Sequence, residues 1–556
     1  MSSERLIYLP LGGAGEIGMN AYVYGYGKPG KERLIVVDLG VAFPDMDGSP
    51  GVDLIIADIA WLRERKDRIE AVFVTHAHED HVGGIAHTYG QLQVPIYARK
   101  FTANIAARKM DEHGHPADAI HVTSAWPQQV TVGPFTVGFL PISHSIPESS
   151  ALVIDTPEGR VIHSGDFKID LTPGVGEAYD PDLWAEVCKD GVKALVCDST
   201  NVFSRNPGRS EATVGPAIEE LVSSAEGMVV ATTFASNVAR VKTLAVAADK
   251  AGRSVVLLGR AMKRMVEASL ETGVMKDFPP VVSPEDARGI PRENLMLLVT
   301  GSQGERRAAS AQLARGKFQG IEMKEGDMFL FSSKTIPGNE KGVIRIINQF
   351  SERGVDVVDE SSGGHYHVSG HANRPDLETL HDVVKPQILI PMHGEHRHLR
   401  EHVKIADGKG IKGVLAVNGM MIDLSGNTPK VAEYIETGRT YIDGSVQIGA
   451  LDGVVRDRIR MALNGHVTVT VILDDEDEPL GDPWVDAMGL PDMGKSGASL
   501  VDVLEEDLSQ FLGRSKAATL RDDTKLNDGL KRVVRQSAND EIGKKPEVTV
   551  VVSRLS

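Results

Sequence analysis

Cysteine is nearly absent. Only Cys188 and Cys197 occur in 556 residues, and they lack CxxC spacing, which excludes a disulfide framework and points to a reducing, cytoplasmic setting. Nowhere do roughly eighteen apolar residues run together, so no membrane span or membrane partner is expected. The stretch Met1–Pro10 has Glu4 and Arg5 before a short apolar run and lacks the apolar core of a signal peptide. Basic side chains are the minority: 60 Lys and Arg stand against 77 Asp and Glu, a net charge of −17. That excludes a nucleic-acid binder working by bulk charge, so any phosphate-rich substrate must be gripped at a local site. No internal repeat is visible.

What remains is an ordinary folding composition, 41% hydrophobic with 57 glycines and 28 prolines, long enough for several cores. The first two hundred residues read as short apolar strands broken by glycine turns, among them Arg5–Leu11, Arg33–Leu39, Ala71–Thr75 and Lys193–Asp198, with helical stretches at Ile55–Arg65 and Thr102–Glu112. Such text predicts stacked sheets with helices on their outer faces. From about Ser210 helix and strand alternate, as in a parallel sheet built of βαβ units. Strand-rich text with histidines returns from Asp376 to Leu424, and the polar, turn-rich stretch Ser425–Asp443 suits a linker. The expected organisation is a first domain split between residues 1–208 and 371–428, an inserted domain at 209–370, a linker at 429–449 and a C-terminal domain at 450–556.

Two motifs tempt without fitting. Gly13–Gly18 matches GxGxxG, but a dinucleotide loop must open a helix, and Met19–Tyr24 reads as a strand, so a hairpin turn is expected. His398 and His402 stand at i and i+4, a spacing that can hold zinc, yet Arg397, Arg400 and Lys404 around them predict a charged surface helix.

The chemistry sits elsewhere. The strand Ala71–Thr75 runs into His76-Ala-His78-Glu-Asp80-His81, a density of ligands that packing does not require. His76 and His78 lie on the same side of an extended segment and can chelate one metal, while Asp80 and His81 on the following turn can reach a second.

This HxHxDH segment resembles the metallo-β-lactamase superfamily, and that resemblance implies the other residues in order. Asp38 corresponds to the acid that orients the site without being a ligand, His144 to the third-motif histidine and Asp166 to the bridging carboxylate. Downstream, Asp198 in Cys197-Asp-Ser-Thr-Asn201, His371 in His367-Val-Ser-Gly-His371 and His393 in Pro391-Met-His393-Gly-Glu395 resemble motifs A, B and C of the β-CASP nucleases. Over most of residues 5–460 the chain is similar to the bacterial ribonuclease J family; the C-terminal hundred residues match loosely. The fold implied is α/β: a metallo-β-lactamase αββα sandwich with an inserted β-CASP α/β domain and a small α/β C-terminal domain. A histidine at motif C, His393, implies RNA rather than DNA as substrate.

By the same resemblance, His76, His78, His144 and Asp166 hold one divalent ion, and Asp80, His81, Asp166 and His393 a second, with zinc foremost and manganese or magnesium as alternatives. Two such ions about 3.5–4 Å apart activate a shared water and clamp a phosphodiester. Asp80 is placed to accept that water's proton, leaving a 5′-phosphate and a 3′-hydroxyl. His371, oriented by Asp198, is the candidate to protonate the leaving oxygen. Ser236 and Asn237 at a strand-to-helix turn, and Ser362, Gly364, His365 and Ser369 before His371, are candidates to cradle the RNA 5′-monophosphate. The expected activity is 5′→3′ exonucleolytic and endonucleolytic cleavage of single-stranded RNA by a homodimer or homotetramer, with an RNA-decay complex as a further partner. The competing readings are a thioesterase or lactonase, disfavoured by the large insertion between Asp198 and His393, an idle RNA-binding scaffold, disfavoured by the intact ligand set, and a DNA-repair nuclease.

Overall fold

The computed structural model describes residues 4–555. It divides into two compact units, one made of the chain up to Ala42 with Ile56–Arg439, the other of Phe43–Ile55 with the chain after Arg439.

The first unit is built on two facing sheets. In the first, the strands Arg5–Gly12, Ala21–Gly27 and Arg33–Val37 form an antiparallel meander continued in parallel by Ile69–Val74, Ile96–Arg99 and Ile120–Thr123. In the second, Gln129–Val132, Phe135–Pro141, Ser150–Thr156 and Gly159–His163 run antiparallel, then Ala194–Asp198 and Ile388–Met392 add in parallel. Alternation along these strands sends Tyr22, Tyr24, Ile35, Val37 and Phe73 from one sheet against Phe139, Leu152, Ile154, Val196 and Ile390 from the other. The odd partners face outward: Leu195 and Cys197 meet Trp184, Leu377, Leu380, Ile405 and Ala406 of the covering helices.

The insertion is a five-stranded, all-parallel sheet in the order Ser254–Leu258, Leu295–Val299, Val229–Thr232, Met328–Phe331, Asp356–Val358. Its strands are nearly continuous apolar runs because helices cover both faces. In the second unit, His466–Leu473 pairs with Trp484–Met488 and Glu547–Arg554. Leu500, Leu504, Leu508 and Leu512, four residues apart, turn one buried stripe of the helix Leu500–Arg514 toward them.

Three local expectations change. Ile55–Arg65 is a strand, Leu54–Ala57, followed by the single helical turn Ala60–Arg63; the β-branched pair Ile55 and Ile56 prefers the sheet. The stretch read as a linker carries the strands Lys430–Tyr434, Arg439–Asp443 and Val446–Gly449. The helix His396–Gly408 is not a surface helix on its histidine side: His398, Leu399, His402, Ile405 and Ala406 form its buried face while Arg397, Arg400 and Lys404 lie off it. Among the described residues, no helix is long and apolar enough to cross a membrane.

Candidate active site

The site lies where strands of both sheets end. After Ile69–Val74 the chain leaves extended through His76 and His78, then turns into the short helix Glu79–Val82 that carries Asp80 and His81. The loop after Phe135–Pro141 brings His144, the loop after Gly159–His163 brings Asp166, and Ala194–Asp198 ends on Asp198. His393 directly follows Ile388–Met392.

Three overlapping groups of four donors result. Ligand atoms of His76, His78, His144 and Asp166 all lie within 4.8 Å of one another, as do those of Asp80, His81, Asp166 and His393 and those of Asp166, Asp198, His371 and His393. Asp166 belongs to all three. In the first group His78 Nδ1 stands 3.1 Å from His76 Nε2 and 3.0 Å from His144 Nε2. One ring nitrogen cannot hydrogen bond well to two others at once, whereas three nitrogens converging on a point are what a cation needs. In the second, His81 Nε2 lies 3.1 Å from Asp166 Oδ2 and His393 Nε2 lies 3.0 Å from Asp80 Oδ2. The buried Asp166 Oδ1 has no hydrogen-bond partner. His393 Nδ1 stands 3.2 Å from that oxygen without a hydrogen bond to it, and nitrogen and carboxylate donors with a buried oxygen left without a hydrogen bond fit divalent cations.

The remaining nitrogens are pinned. His81 Nδ1 donates to Asp38 Oδ2 at 2.7 Å. Asp38 also accepts from the Thr75 amide (2.8 Å) and hydroxyl (2.9 Å), so it orients His81 from behind. His144 Nδ1 donates to the Gly370 carbonyl at 2.6 Å. Each anchor fixes the tautomer that turns the other nitrogen toward the centre. Asp38 (φ 61°) and His393 (φ 49°) both occupy the left-handed region unusual for side chains of this size, a strain sustained where geometry is over-determined.

Within the third group stands an acid–histidine pair. His371 Nδ1 donates to Asp198 Oδ2 at 2.8 Å, and Asp198 Oδ1 accepts from the Thr200 hydroxyl at 2.7 Å. Asp198 is wholly buried, while the His371 side chain retains 23% exposure and its ring packs against those of His144 and His393.

Charge follows the carboxylates. Burial, reinforced by neighbouring imidazoles, holds His76 and His144 far below the ordinary histidine value, and burial lowers His78 to about 4. For His81, His371 and His393 burial also opposes charge but is outweighed: Asp166, Asp80 and Asp38 raise His81, Asp198 raises His371, and Asp166, Asp198 and Asp80 raise His393 to about 10. Burial likewise opposes charge on Asp166, but His393 and His81 bring it down to about 2; Asp80 and Asp198 are also lowered by the histidines they face.

Of the six residues read as substrate-holding, Ser369 alone is tied to this cluster by a direct hydrogen bond among the described residues: its hydroxyl accepts from the His371 amide at 3.1 Å and from Asn201 Nδ2 at 2.8 Å. The Asn237 side chain caps the helix Val238–Lys250 by accepting from the Arg240 amide. Ser362 accepts from the Asp359 amide within its own turn, and His365 contacts Arg209 and Thr213. Gly364 lies under the Tyr366 ring, and Ser236 is half-buried.

Three positioning residues escaped sequence reading. Thr200 links Asp198 to His393, its Oγ1 lying 3.0 Å from His393 Nδ1. Asn20, its Oδ1 held by the Tyr22 hydroxyl at 2.7 Å, donates to the Asp80 carbonyl at 3.0 Å. Asn201 ties Ser369 to the His371 segment. The one available signal was their placement in the same short loops as Asp198 and the glycine motif. That motif is a turn, as expected, followed by the strand Ala21–Gly27, and it frames the site: the Gly13 carbonyl accepts from the His393 amide at 2.7 Å. At φ 82°, with the Asn20 and Tyr22 side chains within 2.3 Å of where a Cβ would stand, position 13 admits only glycine.

A two-sheet sandwich with helices outside, histidines and aspartates at the strand ends and an inserted parallel sheet defines a metallo-β-lactamase-fold hydrolase of β-CASP type. Family comparisons agree segment by segment: residues 46–188 match the beta-lactamase superfamily domain, 226–350 the ribonuclease J beta-CASP domain, 365–416 the Zn-dependent metallo-hydrolase RNA specificity domain and 453–555 the ribonuclease J C-terminal domain. The chain is 40% identical to ribonuclease J of Sinorhizobium meliloti over 99% of its own length and 98% of the relative's. It is 36% identical to that of Corynebacterium glutamicum, covering 89% and 69% of the two chains, and 33% identical to that of Mycolicibacterium smegmatis, covering 98% and 96%. The chain belongs to the ribonuclease J family and is a metal-dependent ribonuclease. Among solved structures, a protein of unknown function from Enterococcus faecalis V583 shares the fold, with a TM-score of 0.52 at 17% identity, covering 75% of this chain and 100% of that one.

Proposed function

We propose that this ribonuclease removes nucleotides 5′→3′ from single-stranded RNA bearing a 5′-monophosphate and also cuts internally, leaving 5′-phosphate and 3′-hydroxyl ends. The observation that carries the reading is Asp166 shared among overlapping four-donor groups, with the Asp198–His371 pair bonded in the same cluster.

His76, His78, His144 and Asp166 would hold one divalent cation, and Asp80, His81, Asp166 and His393 the other, with zinc foremost and manganese or magnesium as alternatives. When bound, the pair supplies Lewis-acid charge that steadies a phosphodiester as negative charge builds on it. Asp80, whose carboxylate keeps partial exposure, accepts the proton of the attacking water. In-line displacement at phosphorus then expels the 3′-oxygen of the preceding nucleotide. His371, kept protonated by Asp198, delivers a proton to that oxygen through Nε2, the nitrogen Asp198 does not hold. Ser369, fixed against His371, and the loop holding Ser362, Gly364 and His365 receive the 5′-terminal phosphate, with Ser236 and Asn237 as the alternative cradle. The two free, buried cysteines support a cytoplasmic setting, and the C-terminal domain is assigned to homodimer or homotetramer assembly.

A time course on 5′-monophosphorylated, 3′-labelled RNA, its 5′-triphosphate twin and the His81→Ala variant tests the proposal. Mononucleotides released from the monophosphate substrate, slowly from the triphosphate and not at all by the variant, are expected. Internal fragments alone, from both substrates equally, would remove the exonuclease and the monophosphate cradle.

A further inference from the structure

We propose that Cys197, His381 and His402 form a second metal site, separate from the active-site basin at the strand ends, that takes one borderline-soft transition-metal ion of the zinc class. Ligand atoms of the three side chains lie within 4.8 Å of one another, and all three residues are at most 1% exposed. They come from three elements: the strand Ala194–Asp198, the helix Arg374–Val384 and the helix His396–Gly408. Successive strand residues point to opposite faces, so Cys197 turns outward toward the helices while Asp198 serves the basin.

The two rings face each other through Nε2, 3.0 Å apart, with planes 11° from parallel. Ser199 fixes the tautomer of His402. Its hydroxyl donates to the Cys197 carbonyl at 3.2 Å, so its oxygen accepts from His402 Nδ1 at 2.9 Å, leaving His402 Nε2 with a lone pair aimed into the cluster. His381 Nδ1 is buried without a partner, and no carbonyl or carboxylate claims either nitrogen of that ring. Burial keeps both imidazoles neutral, the form that ligates. Two imidazoles and a thiol without a carboxylate are a donor set for zinc-class ions rather than magnesium or manganese. The thiol gives up its proton on coordination, and a site this enclosed loads as the chain folds. Through Ser199 the ion would brace the segment carrying Asp198 and Thr200.

Cobalt, standing in for zinc, reports thiolate ligation by a charge-transfer band that a histidine–aspartate site cannot produce. Protein made in minimal medium with cobalt as the added metal should show this band. Cys197→Ser and His381→Leu should each lose it together with one equivalent of bound metal, while Cys188→Ser keeps both. Wild-type protein without the band, whose metal content equals that of Cys197→Ser, overturns the proposal, as does a band that disappears with Cys188 instead. Should the cluster variants fail to fold, the spectra of wild type and Cys188→Ser decide alone. None of these readouts depends on RNA cleavage.

Discussion

The basin at the strand ends and the interior of the sandwich both bury histidines, but only in the basin are some of them driven toward charge, while His76, His78 and His144 stay low as the interior ones do. In the basin His81 is wholly buried yet held far above the ordinary value by Asp166, Asp80 and Asp38. In the interior His163 is just as buried, lies between Tyr22 and Tyr24, and burial lowers it to about 3. Burial is common to both, so the carboxylates make the difference. Asp38, Asp80, Asp166 and Asp198 turn a cluster of imidazoles into a site that handles charge, and without them the same side chain is a neutral packing group.

Removing the shared carboxylate should break the contrast most completely. Asp166→Ala takes a donor from both proposed ligand sets at once, so RNA hydrolysis is expected to fall by more than the ~10²–10⁴-fold that one positioned acid–base group contributes. Bound metal should fall with it, as single-turnover cleavage and elemental analysis would check. His371→Ala should cost on the order of 10²–10⁴ in kcat with metal content unchanged, because His371 stands outside the two proposed ligand sets and is held by Asp198. A matching loss of metal would make it a ligand instead. Asp38→Ala should act less strongly, weakening metal affinity about 10–100-fold, since it only orients His81. Competition with a calibrated chelator measures this, and unchanged affinity would show that the ring is positioned without Asp38, by Asn20 Nδ2 at 3.0 Å from Nε2 and Thr75 Oγ1 at 3.5 Å from Nδ1.

The basin was legible in the sequence because its candidate ligands follow strand ends in chain order and four of them fall within His76–His81. One dense segment announced the chemistry, and the family resemblance then directed attention to Asp38, His144, Asp166, Asp198, His371 and His393. The bracing residues carried no such mark. Thr200 and Asn20 are ordinary loop residues, and their roles exist only once Asp198, His393 and Asp80 converge. The cluster of Cys197, His381 and His402 was equally hidden, since 184 residues separate its first two members in the sequence. Cationic neighbours of His402 made its helix look exposed, although the period of Leu399, His402, Ile405 and Ala406 marked a buried face. Fold class was readable for a related reason: alternating strands state their period locally. The interval Ile55–Arg65 mixes β-branched and helix-forming residues, and there pairing in the sheet decided against the local pattern.

The smallest effect tests the interior half of the contrast. His163 Nδ1 accepts from the Tyr24 hydroxyl at 3.0 Å, and its Nε2 is buried without a partner. Its folded value, about 3, lies below the ordinary 6.5, so the folded chain binds fewer protons than the unfolded one. The contribution to stability is therefore complete above about pH 6.5 and is lost as pH falls toward about 3. By about pH 5 the loss should reach on the order of 2 kcal/mol. His163→Phe keeps an aromatic ring, slightly larger than imidazole, and removes the proton, with a pH-independent cost that includes about 1 kcal/mol for the unmade tyrosine hydrogen bond. Chelator-treated wild type should therefore lose about 2 kcal/mol more than the variant between about pH 7 and pH 5, read from urea midpoints of the transition that exposes Trp184. Parallel profiles would mean that His163 accepts a proton within the fold, and that tyrosines can do for a buried imidazole what the aspartates do in the basin.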